Sequence, residues 1–161
     1  MKRALMTLLL PVALVACGSA ASGYGGGAAP SSSSGAATIS VQGTSLGQIL
    51  VDGNGKTLYL FEADTSTQST CSGGCAQAWP PVTTSGAPKA AGGASASLLG
   101  TTARSDGTTQ VTYSGHPLYS FTGDTKPGDT NGEGSTAFGA GWDVLTATGE
   151  KIEKSASSGS Y

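Results

Sequence analysis

The sequence predicts an all-β domain built from two tandem hairpin-based repeats, small and pseudo-symmetric, with long polar loops and little helix. Three observations carry this. The stretch GKTLYLFEAD at residues 55–64 returns as GHPLYSFTGD at 115–124, a period of sixty that keeps Gly, Leu, Tyr, Phe and Asp in step; self-similarity at a fixed spacing marks a repeated supersecondary unit. Glycine supplies 26 residues while charged residues make up only 11%, a balance that suits turns and strands, since glycine weakens helix interiors and serves positive-φ turns. Beyond the N-terminal apolar run, no stretch has the length and period of a long helix.

Taken in order, Lys2 and Arg3 precede an apolar run over residues 4–15 that ends in Leu14-Val15-Ala16-Cys17, the anatomy of a secretory signal with a lipoprotein processing site. The run falls short of the roughly 20 residues a spanning helix needs, and Pro11 interrupts it. Residues 1–16 are therefore expected to be removed as a signal peptide, leaving the Cys17 thiol to carry lipid. Two or three acyl chains on one residue give stable anchoring where a single chain is marginal. Residues 17–37, rich in Gly, Ser and Ala, cannot pack a core and read as a flexible tether with a reach on the order of 25 Å. Residues 38–154 form the β domain, and 155–161 read as a frayed tail.

Within the domain, unit one spans about residues 45–84 and unit two about 105–152. In unit one, residues 46–51 and 56–61 read as strands around the turn-rich Asp52-Gly53-Asn54-Gly55; in unit two, 110–113 and 116–121 flank Ser114-Gly115. Both are hairpins. Side chains alternate faces along a strand, so Tyr59 and Phe61 share one face opposite Leu58 and Leu60, and Tyr119 and Phe121 share one opposite Leu118 and Ser120. The aromatic faces are expected to bury against each other. Asp64 and Asp124 each follow three residues after the Phe, where a carboxylate can accept loop N–H groups and pin the chain. Each unit then runs through a polar loop to a tryptophan. Trp142 opens a strand-like run that turns at Thr148-Gly149, whereas Trp79 is followed by Pro80-Pro81, which a central strand excludes. The segment 95–104 has room for one helical turn.

Cys71 and Cys75 lie in CSGGCAQAWPP, four positions apart with a flexible Ser72-Gly73-Gly74 between them, and outside the membrane such a pair is expected to form a disulfide. The spacing is neither that of a thioredoxin-like pair nor of a haem attachment site. Metal ligation has thin support: His116 is the sole histidine, and the oxygen donors Asp124, Asp129, Asn131 and Glu133 do not match an EF-hand, because the closing position falls on Ala140. No nucleophile elbow, zinc-protease helix or phosphate-binding loop is present. Loss of Lys2 and Arg3 with the signal leaves 6 basic against 10 acidic residues, with no basic stripe of the kind nucleic acid requires.

The combination of lipobox, two copies of Tyr-x-Phe-x-x-Asp, CSGGCAQAWPPV and GHPLYSF followed by GDTNGEGSTAFGAGWDVL resembles the bacterial secreted-repeat lipoproteins with a Yx(FWY)xxD motif. Tyr59, Phe61 and Asp64, then Tyr119, Phe121 and Asp124, fall on that motif, and Cys71, Cys75, Trp79, Pro80 and Pro81 on the cysteine-tryptophan segment. The resemblance implies location and repeat architecture, not an activity. The expectation is a non-enzymatic, lipid-anchored module on the outer face of a bacterial membrane, without cofactor, touching membrane lipid through Cys17 and an envelope protein or polymer through its domain. The alternative is a redox or metal-handling lipoprotein, with copper, zinc or calcium held by Cys71 and Cys75 with His116 or by the acidic loop. A hydrolase using Asp64 and Asp124 as paired acids is the third option.

Overall fold

A computed structural model describes residues 35–152. The expected signal peptide, Cys17, the tether up to residue 34 and the tail 155–161 lie outside the described residues. Unit one opens with β1 (Thr38–Thr44), which pairs antiparallel with β2 (Gly47–Asp52) from Ile39↔Asp52 to Thr44↔Gly47. The chain then turns through residues 53–55. Asp52 Oδ1 accepts the N–H groups of Asn54 (2.8 Å) and Lys56 (2.9 Å), so the side chain satisfies the turn that its own strand cannot. The return leg follows β2 only to Leu58, whose N–H donates to Leu50 O at 3.0 Å, before β3 (Tyr59–Phe61) departs to another partner. Unit two repeats the plan with β5 (Leu99–Ala103), β6 (Thr109–Tyr113) and β7 (His116–Pro117). Its turn residues Ser114 and Gly115 have φ of 51° and 86°, the positive pair that a two-residue hairpin of primed type requires.

The departing strands explain how the units join. β8 (Trp142–Val144), from unit two, pairs with β3 of unit one, Phe61 opposite Trp142. Leu145 then lies in the unit-one hairpin: Leu50 N–H donates to Leu145 O at 2.8 Å and Leu145 N–H to Leu58 O at 3.4 Å. The reciprocal holds for unit one's segment after Trp79, where Val82 N–H donates to Leu118 O (2.9 Å) and Val111 N–H to Val82 O (2.8 Å). The two motif strands meet at one reciprocal pair, Tyr59 N–H to Tyr119 O at 2.9 Å and Tyr119 N–H to Tyr59 O at 3.0 Å, which marks the pseudo-twofold axis. Each hairpin is therefore completed by the other unit. Pro80 and Pro81 fit because this segment makes only isolated bridges, at Pro81 and Thr83, and Pro80 supplies a carbonyl to Ser120 N–H (2.9 Å).

The linking segments hold a five-residue helix α1 (Gly74–Ala78), a two-residue β4 (Lys89–Ala90) parallel to β1, and 3-10 turns at Ala96–Leu98 and Ala137–Gly139. The turn at Ala96–Leu98 occupies the segment where one helical turn was expected. The alternation of faces sorts the core into two clusters. Ile49, Val51, Tyr59, Phe61, Cys71, Cys75, Trp79, Tyr119, Trp142 and Val144 form an aromatic one, and Leu50, Leu58, Leu60, Val111, Leu118 and Leu145 anchor an aliphatic one. Phe121 departs from the expected burial, packing against the aromatic cluster while only half-buried.

Candidate functional site

The motif rings form one continuous stack across the axis. Trp79 and Trp142 lie face to face at 4.0 Å and 6°, Phe61 stacks on Trp142 at 4.2 Å, and Phe121 stacks on Trp79 at 4.3 Å. Tyr59 meets Trp79 edge-on at 5.3 Å and Tyr119 meets Trp142 edge-on at 5.2 Å. Each phenylalanine thus stacks on the tryptophan of the other unit, and each tyrosine sets its edge against the tryptophan of its own. Such offset and edge contacts contribute about 0.5–1.5 kcal/mol apiece beyond burial.

The acids complete the crossing. Tyr59 donates its hydroxyl to Asp124 Oδ2 at 2.7 Å, and Tyr119 donates to Asp64 Oδ2 at 2.6 Å. Each motif tyrosine therefore binds the motif aspartate of the other unit, in a core where both tyrosines are 0% exposed. The second oxygen of each acid pins its own loop: Asp64 Oδ1 accepts Thr70 N–H and Oγ1–H, both at 2.7 Å, and Asp124 Oδ1 accepts Asn131 N–H at 2.9 Å. The loop-pinning role expected of the two acids is present, joined by a role between the units. Burial, reinforced by the adjacent carboxylate, pushes both phenols well above the ordinary tyrosine value. Burial likewise raises the Asp124 carboxyl, against the lowering effect of its hydrogen bond from Tyr59.

The two pairs differ in what stands behind them. Beside Asp64, the Ser69 hydroxyl lies 2.7 Å from that of Tyr119 and accepts from Arg104 Nη1 at 2.6 Å. Arg104 also donates to Gln110 Oε1 (2.7 Å) and Cys71 O (2.8 Å), and pairs with Asp106 at 3.1 Å. The exposed Asp106 carboxyl is held down at about 2, first by its hydrogen bonds from Thr108 and then by Arg104. Beside Asp124, the Tyr59 hydroxyl accepts Gly132 N–H at 3.3 Å instead. Arg104 and Gln110 were not singled out in the sequence; the signal available was the only arginine of the domain, set between two strand-like runs.

Cys71 and Cys75 are disulfide-bonded, as their spacing and compartment predict, with Cα atoms 5.3 Å apart, and the bridge closes α1 onto the aromatic cluster. The candidate cation ligands are dispersed among backbone duties. Asp129 Oδ2 accepts from Thr125 and Lys126 N–H groups, Asn131 Nδ2 donates to Gly123 O, and Glu133 Oε2 accepts Val144 N–H at 2.7 Å. His116 sits in β7, half-buried, on the wall of a groove in the opposite unit's loop region. Among the described residues no three His, Cys, Asp or Glu side chains gather closely enough to hold a metal ion, and no helix is long and apolar enough to cross a membrane.

A family model described as a secreted repeat of unknown function matches the chain twice, over residues 40–83 and 100–146. Both copies contain a complete hairpin and its motif tyrosine, and each stops just past the segment given to the other unit. Comparison with curated proteins and with solved structures gives no match. With more than half of its length matched in two copies that the fold interlocks, the chain belongs to this family of secreted repeats.

Proposed function

We propose that this extracytoplasmic protein is lipid-anchored through Cys17 to the outer face of a bacterial membrane and presents its β domain to an envelope protein or polymer, with no catalytic activity of its own. One observation carries the reading: the polar groups of the repeated motif face inward and are consumed by one another, Tyr59 by Asp124 and Tyr119 by Asp64. A motif spent on joining two units specifies a rigid body rather than a reaction. The lipobox at residues 14–17 and the Gly/Ser/Ala segment after it support the anchor and the stand-off from the membrane.

Two measurements test this. Metabolic labelling with an alkyne fatty acid should mark the native protein and not Cys17→Ser, which should move to the medium or the aqueous detergent phase; equal partitioning of both would remove the anchor. Cross-linking in intact cells, followed by recovery from solubilised envelope, should return a reproducible partner, and repeated recovery of the protein alone would count against the module. The redox or metal-handling reading has less behind it, because both sulfurs are bonded to each other and buried and the acids already hold their own loop. Free thiols or stoichiometric copper, zinc or calcium in the purified protein would favour it.

A further inference from the structure

The duplication is broken beside one of the two hairpin turns. In unit two, the loop after the motif aspartate folds onto the turn that opens the unit-one motif. Gly128 donates its N–H to Gly55 O at 3.0 Å, and a Cβ built on Gly55 would meet Pro127 Cβ at 3.1 Å. Thr57 Oγ1 donates to Asp129 O at 2.6 Å, while Asp129 Oδ2 holds Thr125 and Lys126 N–H groups and fixes the bend. The pseudo-twofold sets the unit-one loop, residues 65–67, opposite Gly115 in the same way, but there the contact is missing. A Cβ on Gly115 would meet nothing within 4 Å. Between them lies an open groove of about 610 Å³, floored by Leu60 and Phe61 and walled on the third side by Glu150 and Lys151.

The cause is in the loop. Residues 65–70 hold no proline or glycine, and Gln68 Nε2 donates to Thr102 Oγ1 at 2.9 Å while Ser69 accepts from Arg104 at 2.6 Å. The loop is drawn towards β5 and away from Gly115. What the second unit supplies in cis, the first leaves unfilled.

We propose that this groove is a peptide-docking site whose occupant is a Pro-Gly turn of a partner polypeptide, seated over Gly115 as Pro127-Gly128 is seated over Gly55. The partner's glycine N–H meets the Gly115 carbonyl, and its proline ring covers the glycine face, where no Cβ intervenes. The Glu150 carboxylate at the rim favours a lysine before the proline, as Lys126 precedes Pro127. This rests on the interaction-module reading and names the surface that such a module uses.

The test uses the full mature chain, kept in solution by Cys17→Ser, and a synthetic peptide with the sequence of residues 123–131. Titration followed by amide NMR should shift Gly115, His116 and Thr67 saturably. Replacing the peptide's Pro-Gly by Ala-Ala should weaken binding about tenfold, because alanine takes the left-handed conformation of the turn, φ 79° at Gly128, only at a steric cost that glycine does not bear. Gly115→Asn, which tolerates positive φ and places a side chain in open space, should abolish binding with unchanged melting, and Thr67→Trp should act alike from the opposite wall. The proposal is overturned by absent or non-saturable shifts, by shifts outside the groove, or by cell-wall glycan fragments moving these amides where the peptide does not. Movement of the same amides on truncation after residue 152 would assign the groove to the chain's own tail and likewise overturn it. An envelope partner whose binding survives Gly115→Asn retires the groove and leaves the module standing; peptide binding without recovery of any envelope partner does the reverse.

Discussion

The crossed pairing makes a prediction that no within-unit arrangement shares. Tyr59→Phe removes the hydroxyl that donates to Asp124 at 2.7 Å, between side chains only 0% and 4% exposed. A hydrogen bond to a charged acceptor is worth about 1.5–3 kcal/mol, and burial here leaves little solvent screening to reduce it. Asp124 keeps the bond from Asn131 N–H to its other oxygen, and Gly132 N–H loses the hydroxyl that accepted it at 3.3 Å, so about 2 kcal/mol is expected for Tyr59→Phe. The decisive quantity is the coupling. In a double-mutant cycle, Tyr59→Phe with Asp124→Asn should show an interaction energy of about 1–2 kcal/mol, and Tyr59→Phe with Asp64→Asn should be additive within about 0.5 kcal/mol. Urea unfolding followed by fluorescence of Trp79 and Trp142 reads this directly. With a slope of about 2 kcal/mol per molar urea, the single substitution moves the midpoint by about 1 M. Coupling of Tyr59 to Asp64, or to neither acid, would refute the crossing.

Three further outcomes are expected. Arg104→Met should destabilise by about 2–4 kcal/mol in the same assay, since it strands Gln110 Oε1 and Cys71 O in the interior, whereas Asp106→Asn, at the half-exposed end of the ion pair, should cost less than about 1 kcal/mol; equal effects would mean the surface pair is what matters. Gly132→Ala should lower the melting temperature by several degrees, because a Cβ there would stand 2.6 Å from Trp79 Cη2, and an overpacked core costs about 1–3 kcal/mol; an unchanged melt would show that the stack yields freely. The raised phenols set the alkaline limit: the folded state holds the Tyr59 and Tyr119 protons more tightly than the unfolded chain, with its ordinary value of 10.0, so this stability is complete below that pH and falls as pH rises through and above it. Absorbance at 295 nm should therefore report these two groups only as the protein unfolds, and their reversible ionisation near pH 10 in the native state would contradict the buried pairs.

How much of this was legible depended on whether the governing interaction was local. The hairpin turns at Asp52–Gly55 and Ser114-Gly115, the shared face of each Tyr-x-Phe, the disulfide and the loop-pinning by Asp64 and Asp124 are settled within a few residues, and the sequence shows them. The partner of each tyrosine hydroxyl is not. Asp64 follows Tyr59 by five residues and Asp124 by sixty-five, and a period repeated twice says the units are alike without saying which unit completes which. The opening strands were hidden for another reason. In TISVQGT only Ile39 is fully buried, and three of the five residues of β5, LGTTA, are threonine or glycine, with only Thr102 buried, so neither shows an apolar alternation. α1 spans five residues, too few for a helical period, and rests on the disulfide and on Gly73 at φ 56°. Arg104 lies in a Thr-rich stretch where a charged residue reads as solvated, and its burial follows from acceptors that arrive from residues 69, 71 and 110.

The two copies also separate what the fold needs from what it leaves free. Positions that stay in step, Gly55 with Gly115, Leu58 with Leu118, Tyr59 with Tyr119, Phe61 with Phe121 and Asp64 with Asp124, are those that turn each hairpin, fill the core or reach across the axis to the other unit. The loops after the aspartates carry no such reciprocal constraint, and there the copies diverge most: one closes on Gly55 through Pro127 and Gly128, the other is held off by Gln68 and Ser69. A reciprocal exchange makes the frame insensitive to that divergence, since each hairpin is completed by the segment after the tryptophan, at Val82 and Leu145, and not by the loop before it. Asymmetry can therefore accumulate at the surface over a symmetric core, and the wall beside Gly115, which its twin shows how to fill, is one that the described residues leave open.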